Sequence, residues 1–438
     1  MKAVHQAIEN ARKRYAAANP KSLAAHQAAA RYLPGGNTRT VLHYEPFPLT
    51  MVGGEGAELI DLDGHRYVDF VSEFSAGLFG HSDKTIKTAI SEVLDQGIVL
   101  GGPTSYEREL AGLLCGRFPA IEQVRFCNSG TEANLLALTT AKMVTGREKI
   151  LVFRGAYHGG VIKFSIEGSA FNVPYDFVLA DYNDTEATAA LIRQQGDGLA
   201  AVMVEPILGV GGNIVGSAEF MAMLRQSTQD VGAMLIFDEV KTARLGHAGM
   251  QGRLGIKPDL VTLGKIIAGG LPTGAFGGSA EIMGHYNPHT QGALNHAGTF
   301  NNNVCSMAAG CAAMGKIFTP QCADDFFDTS ERFRDSLNQM FAAHRVPMFC
   351  NGLGSIFAIH FSAQPLDRIV ERTDATKALN TLLHLELLLD GVLIISRGDL
   401  FLSLPMTESH FAKARSALES FVKQFKPLIC DDLVAPSP

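Results

Sequence analysis

The sequence predicts an α/β fold, with a large domain built on a mostly parallel sheet flanked by helices and a smaller α+β domain. Five short apolar runs in the middle of the chain have the near-continuous apolar character of strands buried on both faces. Helix-like segments, such as residues 220–231, separate several of these runs, and this alternation favours a parallel sheet. The runs are KILVF (149–153), FVLADY (177–182), LAAVMVEP (199–206), AMLIFDEV (233–240) and LVTLGK (260–265).

The C-terminal third has a different pattern, which predicts the smaller domain. Its helix-like and strand-like segments are 330–344, 354–361, 377–390, 392–396 and 400–404, followed by a last helix with Phe411, Leu418, Phe421 and Phe425 on one face. The N-terminal helix and the short strands at 57–70 are too few to form a core of their own. We therefore predict a segment at 1–65 that packs with a small domain at 316–438, and a large domain at 66–315.

The composition narrows the classes of protein to which the chain can belong. Apolar residues make up 46% of the 438 residues, which allows a sizeable core. No apolar run reaches the roughly 18 residues of a membrane helix. A net charge of −7 without a basic run argues against nucleic acid or an anionic membrane as partner. The seven cysteines form no C-x-x-C pair and the histidines lack ligand spacing, so we expect no disulfide framework and no metal site. With no signal-peptide pattern, we expect a cytoplasmic location.

Four polar residues follow the predicted strands, at the edge where open α/β sheets bind ligands. They are Tyr157, Glu205, Asp238 and Lys265. Lys265 is the only charged residue between Asp259 and Glu281, in the glycine-rich segment LGKIIAGGLPTGAFGG. Each residue alone has an ordinary explanation as a loop, cap or core residue. Their combination at one sheet edge is what indicates a site.

The segment FCNSGTEAN (126–134) predicts a capped helix start. Ser129 is the expected N-cap and Glu132 the third helical residue, which is the capping-box spacing, and Gly146 ends the helix. A small helix start that contains Gly130 and Thr131 leaves backbone N–H groups directed outward, which suits a phosphate. A plain capped helix is the alternative.

Three other ligand motifs can be tested, and each fails. A Walker loop requires Ser or Thr where Ile266 stands and a glycine where Asp259 stands. The residues Gly209-Val210-Gly211 begin like a dinucleotide loop, but Ile214 occupies the place of the third glycine. No serine lies in a G-x-S-x-G elbow.

Pyridoxal phosphate (PLP) is the cofactor that needs all the observed parts together. It requires a lysine for the Schiff base, a carboxylate at the pyridine nitrogen, a flat side chain on the ring and an anion site. Lys265, Asp238, Tyr157 and the Ser129–Thr131 turn supply these four parts. An apolar surrounding disfavours the ammonium form of Lys265 and increases the neutral amine that attacks an aldehyde. The glycines near Lys265 would let the backbone approach a flat cofactor closely.

At this point the sequence resembles the class III aminotransferases of fold type I, over nearly the whole chain. The motifs NSGTEAN, YHGG, VEPILG, FDEV, LGKIIAGGLPTGAFGG and HAGTFNNNVCSMAAG (296–310) stand in that family's order and spacing. The resemblance implies a PLP-dependent transferase fold. Within the family, RYLPGGNTRTVLHYEPFPL (31–49) is similar to the branch of glutamate-1-semialdehyde aminomutases and β-amino-acid aminotransferases.

The resemblance implies roles for the residues around the cofactor ring. Lys265 would form the Schiff base and Asp238 would pair with the pyridine nitrogen. Tyr157 would stack on one face of the ring, and Val240 would press on the other. Glu205 matches the family's Glu-Pro, whose role varies between members.

The resemblance also implies how phosphate and partner are arranged. Ser129, Gly130 and Thr131 would bind the phosphate. Thr299 in AGTF would reach the phosphate of a neighbouring subunit, which implies a homodimer with shared active sites. The partners are otherwise small molecules, an amino donor and a keto-acid acceptor.

The N-terminal stretch PGGNTRTVLHYEPFPL is similar to that of β-phenylalanine aminotransferases. The match implies that Arg39 holds the donor carboxylate, and Arg397 in ISRGDLFLSLP would hold the distal carboxylate of 2-oxoglutarate, since guanidinium grips carboxylate bidentately. A surface ion pair is the alternative for either arginine. The predicted function is transfer of an amino group from a β-amino acid, such as β-phenylalanine, to 2-oxoglutarate or pyruvate by ping-pong kinetics.

Three alternatives stay open. One is a glutamate-1-semialdehyde aminomutase, which is an isomerase with the same cofactor chemistry. Another is an ω-amino-acid or amine transaminase. The third is a non-enzymatic protein of the same fold, because a fold alone does not fix function.

Overall fold

A computed structural model describes residues 1–164 and 172–434 of the chain. Its strands are β1 (Met51–Glu55), β2 (Glu58–Asp61), β3 (Arg66–Asp69), β4 (Gln123–Cys127), β5 (Lys149–Phe153), β6 (Asp176–Ala180), β7 (Leu199–Val204), β8 (Ile207–Leu208), β9 (Ile214–Val215), β10 (Met234–Asp238), β11 (Leu260–Gly264), β12 (Gly274–Gly278), β13 (Phe349–Leu353), β14 (Ile356–His360), β15 (Val392–Leu393) and β16 (Asp399–Phe401).

The helices alternate with these strands through the middle of the chain. They are α1 (Lys2–Ala18), α2 (Pro20–Ala29), α3 (Lys84–Gln96), α4 (Ser105–Arg117), α5 (Gly130–Thr145), α6 (Thr185–Gln195), α7 (Ala218–Val231), α8 (Gly249–Leu254), α9 (Ala280–Met283), α10 (Val304–Ala312), α11 (Pro320–His344), α12 (Asp374–Leu389) and α13 (Glu408–Val434).

The central feature is a seven-stranded sheet in the order β4-β12-β11-β10-β7-β5-β6. β12 runs antiparallel to both of its neighbours, and the other pairs are parallel. Every residue of β7, β10 and β11 is buried, as expected for strands covered on both faces. The predicted α/β fold with a mostly parallel sheet is confirmed.

The five predicted apolar runs coincide with β5, β6, β7, β10 and β11, and residues 220–231 lie in α7. Two strands of the large sheet were not predicted. One is β4, before the capped helix start, and the other is the antiparallel strand β12, which the end of the glycine-rich segment forms. Its glycines permit close packing. A Cβ on Gly274 would lie 2.1 Å from the carbonyl oxygen of Ser129, and one on Gly277 would lie 2.6 Å from that of Gln123. The backbone contact at Gly274 is therefore with the start of α5.

Two smaller sheets lie outside the large one. β1, β2, β3 and β15 form a sheet in which β3 pairs in parallel with β15, so strands from the two ends of the chain combine. β13, β14 and β16 form an antiparallel sheet. α1 packs against α12, and Phe411, Leu418, Phe421 and Phe425 of α13 are buried as the periodicity predicts. The predicted strand at 392–396 ends earlier, at Leu393, and the one at 400–404 is the shorter β16.

The domain boundaries after residues 65 and 315 stay predictions. Within the residues that the structure describes, none of the helices is at once long and apolar enough to cross a membrane. What matters for function is that β10 lies between β7 and β11. The residues that follow these three strands are thereby neighbours.

Candidate active site

The carboxyl ends of three adjacent strands bring the predicted polar residues together. Asp238 is the last residue of β10, Glu205 follows β7 and Lys265 follows β11. Tyr157 comes from the turn after β5, and its backbone N–H donates a hydrogen bond to Glu205 Oε1 at 2.9 Å. The four residues therefore form one site at the sheet edge, as strand order alone requires.

Asp238 is held by three donors. His158 Nδ1 lies 2.7 Å and Asn134 Nδ2 lies 2.8 Å from Asp238 Oδ2, and the N–H of Val240 donates to Oδ1 at 3.0 Å. Thr262 Oγ1 donates to Asn134 Oδ1 at 2.5 Å and so fixes the amide. All of these groups but Val240 are almost completely buried. The carboxylate therefore has one orientation before any ligand binds.

Sequence reasoning missed Asn134 and His158. Both stand in motifs of the family, NSGTEAN and YHGG, but nothing in their spacing shows that the two side chains meet at Asp238. His158 Nε2 is buried and has no hydrogen-bond partner among the described residues. A buried histidine with one nitrogen on a carboxylate is oriented by that contact.

Lys265 is the first residue beyond β11, and its φ of 52° lies in the left-handed region. Such a conformation is uncommon for a residue with a side chain and is typical of functional sites. Burial lowers the pKa of Lys265, against the opposing effects of Asp238 and Glu205. The direction agrees with the apolar surroundings of the sequence, and it increases the share of neutral amine.

The start of α5 has the features of an anion site. Ser129 Oγ accepts a hydrogen bond from the N–H of Glu132 at 3.2 Å, which confirms the predicted N-cap, and Gly146 ends the helix with a φ of 68°. The capping box differs in one contact. Glu132 Oε2 accepts from the N–H of Asn128 at 2.9 Å, which is one residue before the N-cap.

Close packing surrounds the first helical residues. A Cβ on Gly130 would lie 2.7 Å from Val240 Cγ1, so only glycine fits beside that valine. A Cβ on Gly159 would lie 2.4 Å from Thr131 Oγ1, and Gly159 has a φ of 132°. Val240, Gly130 and Thr131 are therefore one packed surface next to Asp238. Backbone N–H groups at such a helix start suit a phosphate.

The two acidic residues at the end of β10 have different surroundings. Glu239 is fully buried and accepts from Thr242 Oγ1 and from the N–H groups of Met250 and Gln251, each at 2.8 Å. It holds the start of α8 in place, which leaves Asp238 as the carboxylate of the site.

Glu205 is also buried, and its Oε2 accepts from the N–H of Gly209 at 3.2 Å. Burial raises the pKa of Glu205, and the charge of Lys241 opposes the shift. Its two backbone contacts tie the turn at Tyr157 to the turn after β7.

Tyr157 keeps 41% of its surface exposed, so its ring is open to contact with a ligand. Burial raises the pKa of its hydroxyl, while the guanidinium groups of Arg39 and Arg397 oppose the shift. Both predicted arginines therefore act on the same tyrosine, from the N-terminal segment and from the C-terminal third of the chain.

The two arginines each have an acidic partner. Arg39 pairs with Glu73 and lies over the ring of Phe74, 4.9 Å from its centroid. Arg397 Nε lies 2.6 Å from Asp399 Oδ2. Residues 72–75 all have positive φ values, between 46° and 77°, and this unusual turn presents Glu73 and Phe74 to Arg39.

Thr299 lies in an exposed segment beside Phe300, which is 67% exposed. The segment contacts the residues before α5, since Asn128 Nδ2 donates to Asn301 Oδ1 at 3.1 Å. The described residues also include no group of three or more His, Cys, Asp or Glu side chains placed to hold a metal ion.

The arrangement fits PLP on the chemistry of its groups. A buried lysine with a lowered pKa, an oriented carboxylate, an exposed aromatic ring and a capped helix start lie along one sheet edge. A family model, aminotransferase class-III, matches residues 41–424. This chain belongs to the class III aminotransferases.

Relatives of this class III aminotransferase agree with the match. A β-phenylalanine transaminase from Variovorax paradoxus is 46% identical over 420 residues, which are 96% of each chain. The crystal structure of a β-phenylalanine aminotransferase from the same organism superimposes with a TM-score of 0.95 and covers 97% of this chain and 99% of the other. A glutamate-1-semialdehyde 2,1-aminomutase from Bacillus cereus is 37% identical over 378 residues, 82% of this chain and 87% of the other.

The family uses PLP, so this aminotransferase is a PLP-dependent enzyme of fold type I. The residues that would hold the cofactor are Ser129, Gly130, Thr131, Tyr157, Glu205, Asp238, Val240 and Lys265. When bound, PLP supplies an aldehyde that takes up an amino group and a ring that withdraws electrons.

Proposed function

We propose that the enzyme transfers the amino group of a β-amino acid, such as the aromatic β-phenylalanine, to 2-oxoglutarate or pyruvate. The observation that carries this proposal is the 46% identity over 96% of the chain to a β-phenylalanine transaminase. The site supports it, because the charges of one carboxylate, Asp238, and of two arginines act on Tyr157, and the same carboxylate acts on Lys265.

Lys265 and Asp238 carry the proton chemistry in this proposal. The lowered pKa of Lys265 increases its share of neutral amine, the form of this side chain that can take the proton from the amine-bearing carbon of the donor. Asp238, oriented by Asn134 and His158, would keep a proton on the pyridine nitrogen of the bound cofactor. The chain thus places its base and its counter-charge on adjacent strands.

The remaining cofactor residues position the ring. Tyr157 would stack on one face of the ring and Val240 would press on the other. Val240 is held beside the helix start, where it packs against Gly130. Ser129, Gly130 and Thr131 would hold the phosphate at the beginning of α5, where the helix dipole favours an anion.

The two arginines hold the carboxylates. Arg39 binds the carboxylate of the donor, and Arg397 binds the distal carboxylate of the acceptor. Their influence on Tyr157 supports this placement. Arg39 stands on the N-terminal segment and Arg397 in the C-terminal third, so the two half-reactions draw on different parts of the chain.

An absorbance titration of the purified enzyme tests the proposal. The visible band of the bound cofactor should bleach with β-phenylalanine and return with 2-oxoglutarate or pyruvate. Lys265→Ala is the control, and it should show neither change. A Lys265→Ala enzyme that still cycles would contradict the assignment of the base.

A second candidate is glutamate-1-semialdehyde aminomutase activity, which the 37% identity to the Bacillus cereus aminomutase favours. Such an enzyme turns over its substrate without a keto-acid acceptor. Turnover of glutamate-1-semialdehyde alone, together with no reaction of β-phenylalanine in the presence of 2-oxoglutarate, would replace our proposal.

We infer that the enzyme is a homodimer with shared active sites. Ile98, Val99 and Leu100 expose 48%, 90% and 54% of their surfaces, and Phe300 exposes 67% next to Thr299. Exposed apolar side chains of this size are typical of interfaces. In such a dimer Thr299 would reach the phosphate of the cofactor bound to the neighbouring subunit. Light scattering should give twice the mass of one chain, and Val99→Asp should give the monomer with weaker PLP binding.

We infer a cytoplasmic location. All seven cysteines are free thiols, which is the usual state in a reducing compartment. Cell fractionation should recover the enzyme with the cytosolic proteins, and recovery in a secreted fraction would contradict the inference.

A further inference from the structure

A lysine that the proposed mechanism does not use lies next to Arg397. Lys241 follows Val240, and its Nζ donates a hydrogen bond to Asn213 Oδ1 at 2.5 Å. The ammonium also lies 4.8 Å from the centroid of the Phe401 ring, within the range of a cation–π contact. Lys241 is therefore held from two sides.

Asn213 connects Lys241 to the partner of Arg397. Asn213 Nδ2 donates to Asp399 Oδ1 at 2.9 Å, and Arg397 Nε lies 2.6 Å from Asp399 Oδ2. Each oxygen of Asp399 thus has its own partner. Asn213 is fully buried and has a φ of 56°, a conformation that asparagine adopts more readily than most residues.

The charges of this cluster do not cancel. Arg397 and Asp399 alone form a neutral pair, and a neutral pair attracts a further carboxylate weakly. Lys241 adds a second positive charge, so that the three side chains carry a net charge of one. Asp399 shows the effect of both cations, since Arg397 first and then Lys241 lower its pKa in spite of its burial.

We propose that Lys241 is a positioning residue for the acceptor. Through Asn213 it offsets part of the charge of Asp399, so that Arg397 presents a net positive charge to the second carboxylate of a dicarboxylic keto acid. The inference rests on the proposed function, and it predicts that Lys241 determines the preference for 2-oxoglutarate over pyruvate.

The pH dependence follows from the groups that face Lys241. Burial lowers the pKa of Lys241 to about 8, with Asp399 and Glu205 opposing and Arg397 and Lys265 adding to the shift. Of the two carboxylates, Asp399 has a lowered pKa and Glu205 a raised one, so Asp399 is the stronger counter-charge.

Two further groups act on the same carboxylate. Arg372 lowers the pKa of Asp399, and His360, whose Nε2 contacts the carbonyl oxygen of Gly212 at 2.8 Å, has a pKa lowered by burial. His360 is therefore neutral throughout the range in which Lys241 titrates. Lys241 is charged below about pH 8 and loses its charge above it, so dicarboxylate binding weakens as the pH rises through this value.

The experiment uses the holoenzyme and glutarate, a five-carbon dicarboxylate without a reactive carbonyl, in isothermal titration calorimetry. The variants are Lys241→Met, Lys241→Arg and, as a control with the same charge change, Lys257→Met. Lys257 is exposed and pairs loosely with Glu122 at 3.6 Å. We expect Lys241→Met to weaken glutarate binding by about tenfold. Lys241→Arg keeps most of the affinity, and Lys257→Met behaves as the parent enzyme.

Two further readouts separate positioning from a structural defect. Lys241→Met should raise the KM for 2-oxoglutarate by a factor about ten times larger than the factor by which it raises the KM for pyruvate. The loss of glutarate affinity between pH 7 and pH 9 should disappear in Lys241→Arg, whose guanidinium stays charged.

Equal losses for 2-oxoglutarate and pyruvate, or an unchanged glutarate affinity in Lys241→Met, would overturn the inference. A parent enzyme that binds glutarate as described but does not bleach with β-phenylalanine would instead overturn the proposed function. Should Lys241→Met fail to fold, the pH dependence of the parent enzyme and Lys241→Arg decides the question.

Discussion

The two halves of the site are built on different principles. Around Asp238, the donors are His158, Asn134 and a backbone N–H, all on elements of one sheet or packed against it. Around Tyr157, Arg39 and Arg397 arrive from opposite ends of the chain, and each is paired with an acidic residue. The part around Asp238, the cofactor half, is fixed before ligands bind. In the part around Tyr157, the carboxylate half, each arginine is held in an ion pair, and the carboxylate of a ligand would compete with that pair.

This difference suits a ping-pong reaction. The cofactor stays in place through both half-reactions, so its rigid contacts need no rearrangement from one half-reaction to the next. The substrates alternate, and a site that accepts two carboxylates in turn must release each one. Ion pairs within the protein provide the alternative partners that make release possible.

The largest expected effect is at Lys265. Lys265→Ala removes the amine that takes the proton, so we expect the rate of amino transfer to fall by at least about 10³-fold. Single-turnover absorbance measurements with β-phenylalanine give this rate. Added methylamine should restore part of it, and restoration by sodium chloride at the same ionic strength would argue against a missing base.

A second prediction concerns the rigidity of the cofactor half. Asp238→Asn removes the charge that His158 and Asn134 hold in place, and we expect a rate lower by about 10²–10³-fold. Thermal unfolding followed by circular dichroism serves as the check on structure. The neighbouring Glu239 binds the start of α8. Glu239→Gln should therefore lower the melting temperature and change the specific rate only slightly. The reverse pattern would show that the roles of the two carboxylates have been interchanged.

A third prediction tests the backbone contact at the start of α5, where we propose that the phosphate binds. Gly274→Ala places a Cβ 2.1 Å from the carbonyl oxygen of Ser129, so we expect the unfolding free energy to fall by about 1–3 kcal/mol. Gly112→Ala is the matched control, because a Cβ there meets no atom within 4 Å and the residue lies inside α4. Denaturant titrations of both proteins measure the change. A stable Gly274→Ala with normal PLP affinity would show that the turn can shift.

The fourth prediction separates the two arginines. Arg39→Gln should raise the KM for the β-amino acid by about 10–50-fold and the KM for 2-oxoglutarate less, because a charge-assisted hydrogen bond is lost in one half-reaction. Arg397→Gln should show the opposite preference. Arg154→Gln, which breaks an exposed pair with Asp181 at 3.0 Å, is the matched control. If both variants raised the KM of both substrates equally, the assignment of Arg39 to the β-amino acid and of Arg397 to 2-oxoglutarate would be contradicted.

The sequence predicts that Glu205, Asp238 and Lys265 lie together, because the sheet brings them there. β7, β10 and β11 are continuous apolar strands, so their boundaries are visible, and adjacent parallel strands bring Glu205, Asp238 and Lys265 together. The capping residue Ser129 is visible for the same reason, because its contact with Glu132 is local.

The rest depends on contacts between distant residues. The hydrogen bond between Lys241 and Asn213 and that between Asn213 and Asp399 join segments whose sequences carry no sign of each other. The positive φ values at residues 72–75 are a second example. The sequence there is Val-Ser-Glu-Phe-Ser, which contains no glycine and does not favour such a turn. Tertiary packing decides both features, and local propensity does not.

The smallest expected effect distinguishes the two ion pairs by their exposure. Glu73 is 59% exposed at its side chain, whereas Asp399 is 2% exposed. An exposed pair contributes about 0–1 kcal/mol, so Glu73→Gln should change the KM for the β-amino acid by less than about fivefold. Asp399→Asn leaves Arg397 and Lys241 without their buried counter-charge, and should change the KM for 2-oxoglutarate by more. Steady-state kinetics with each substrate measures both. If Glu73→Gln changed KM more than Asp399→Asn, substrate binding would depend more on the ion pair of Arg39 than on that of Arg397.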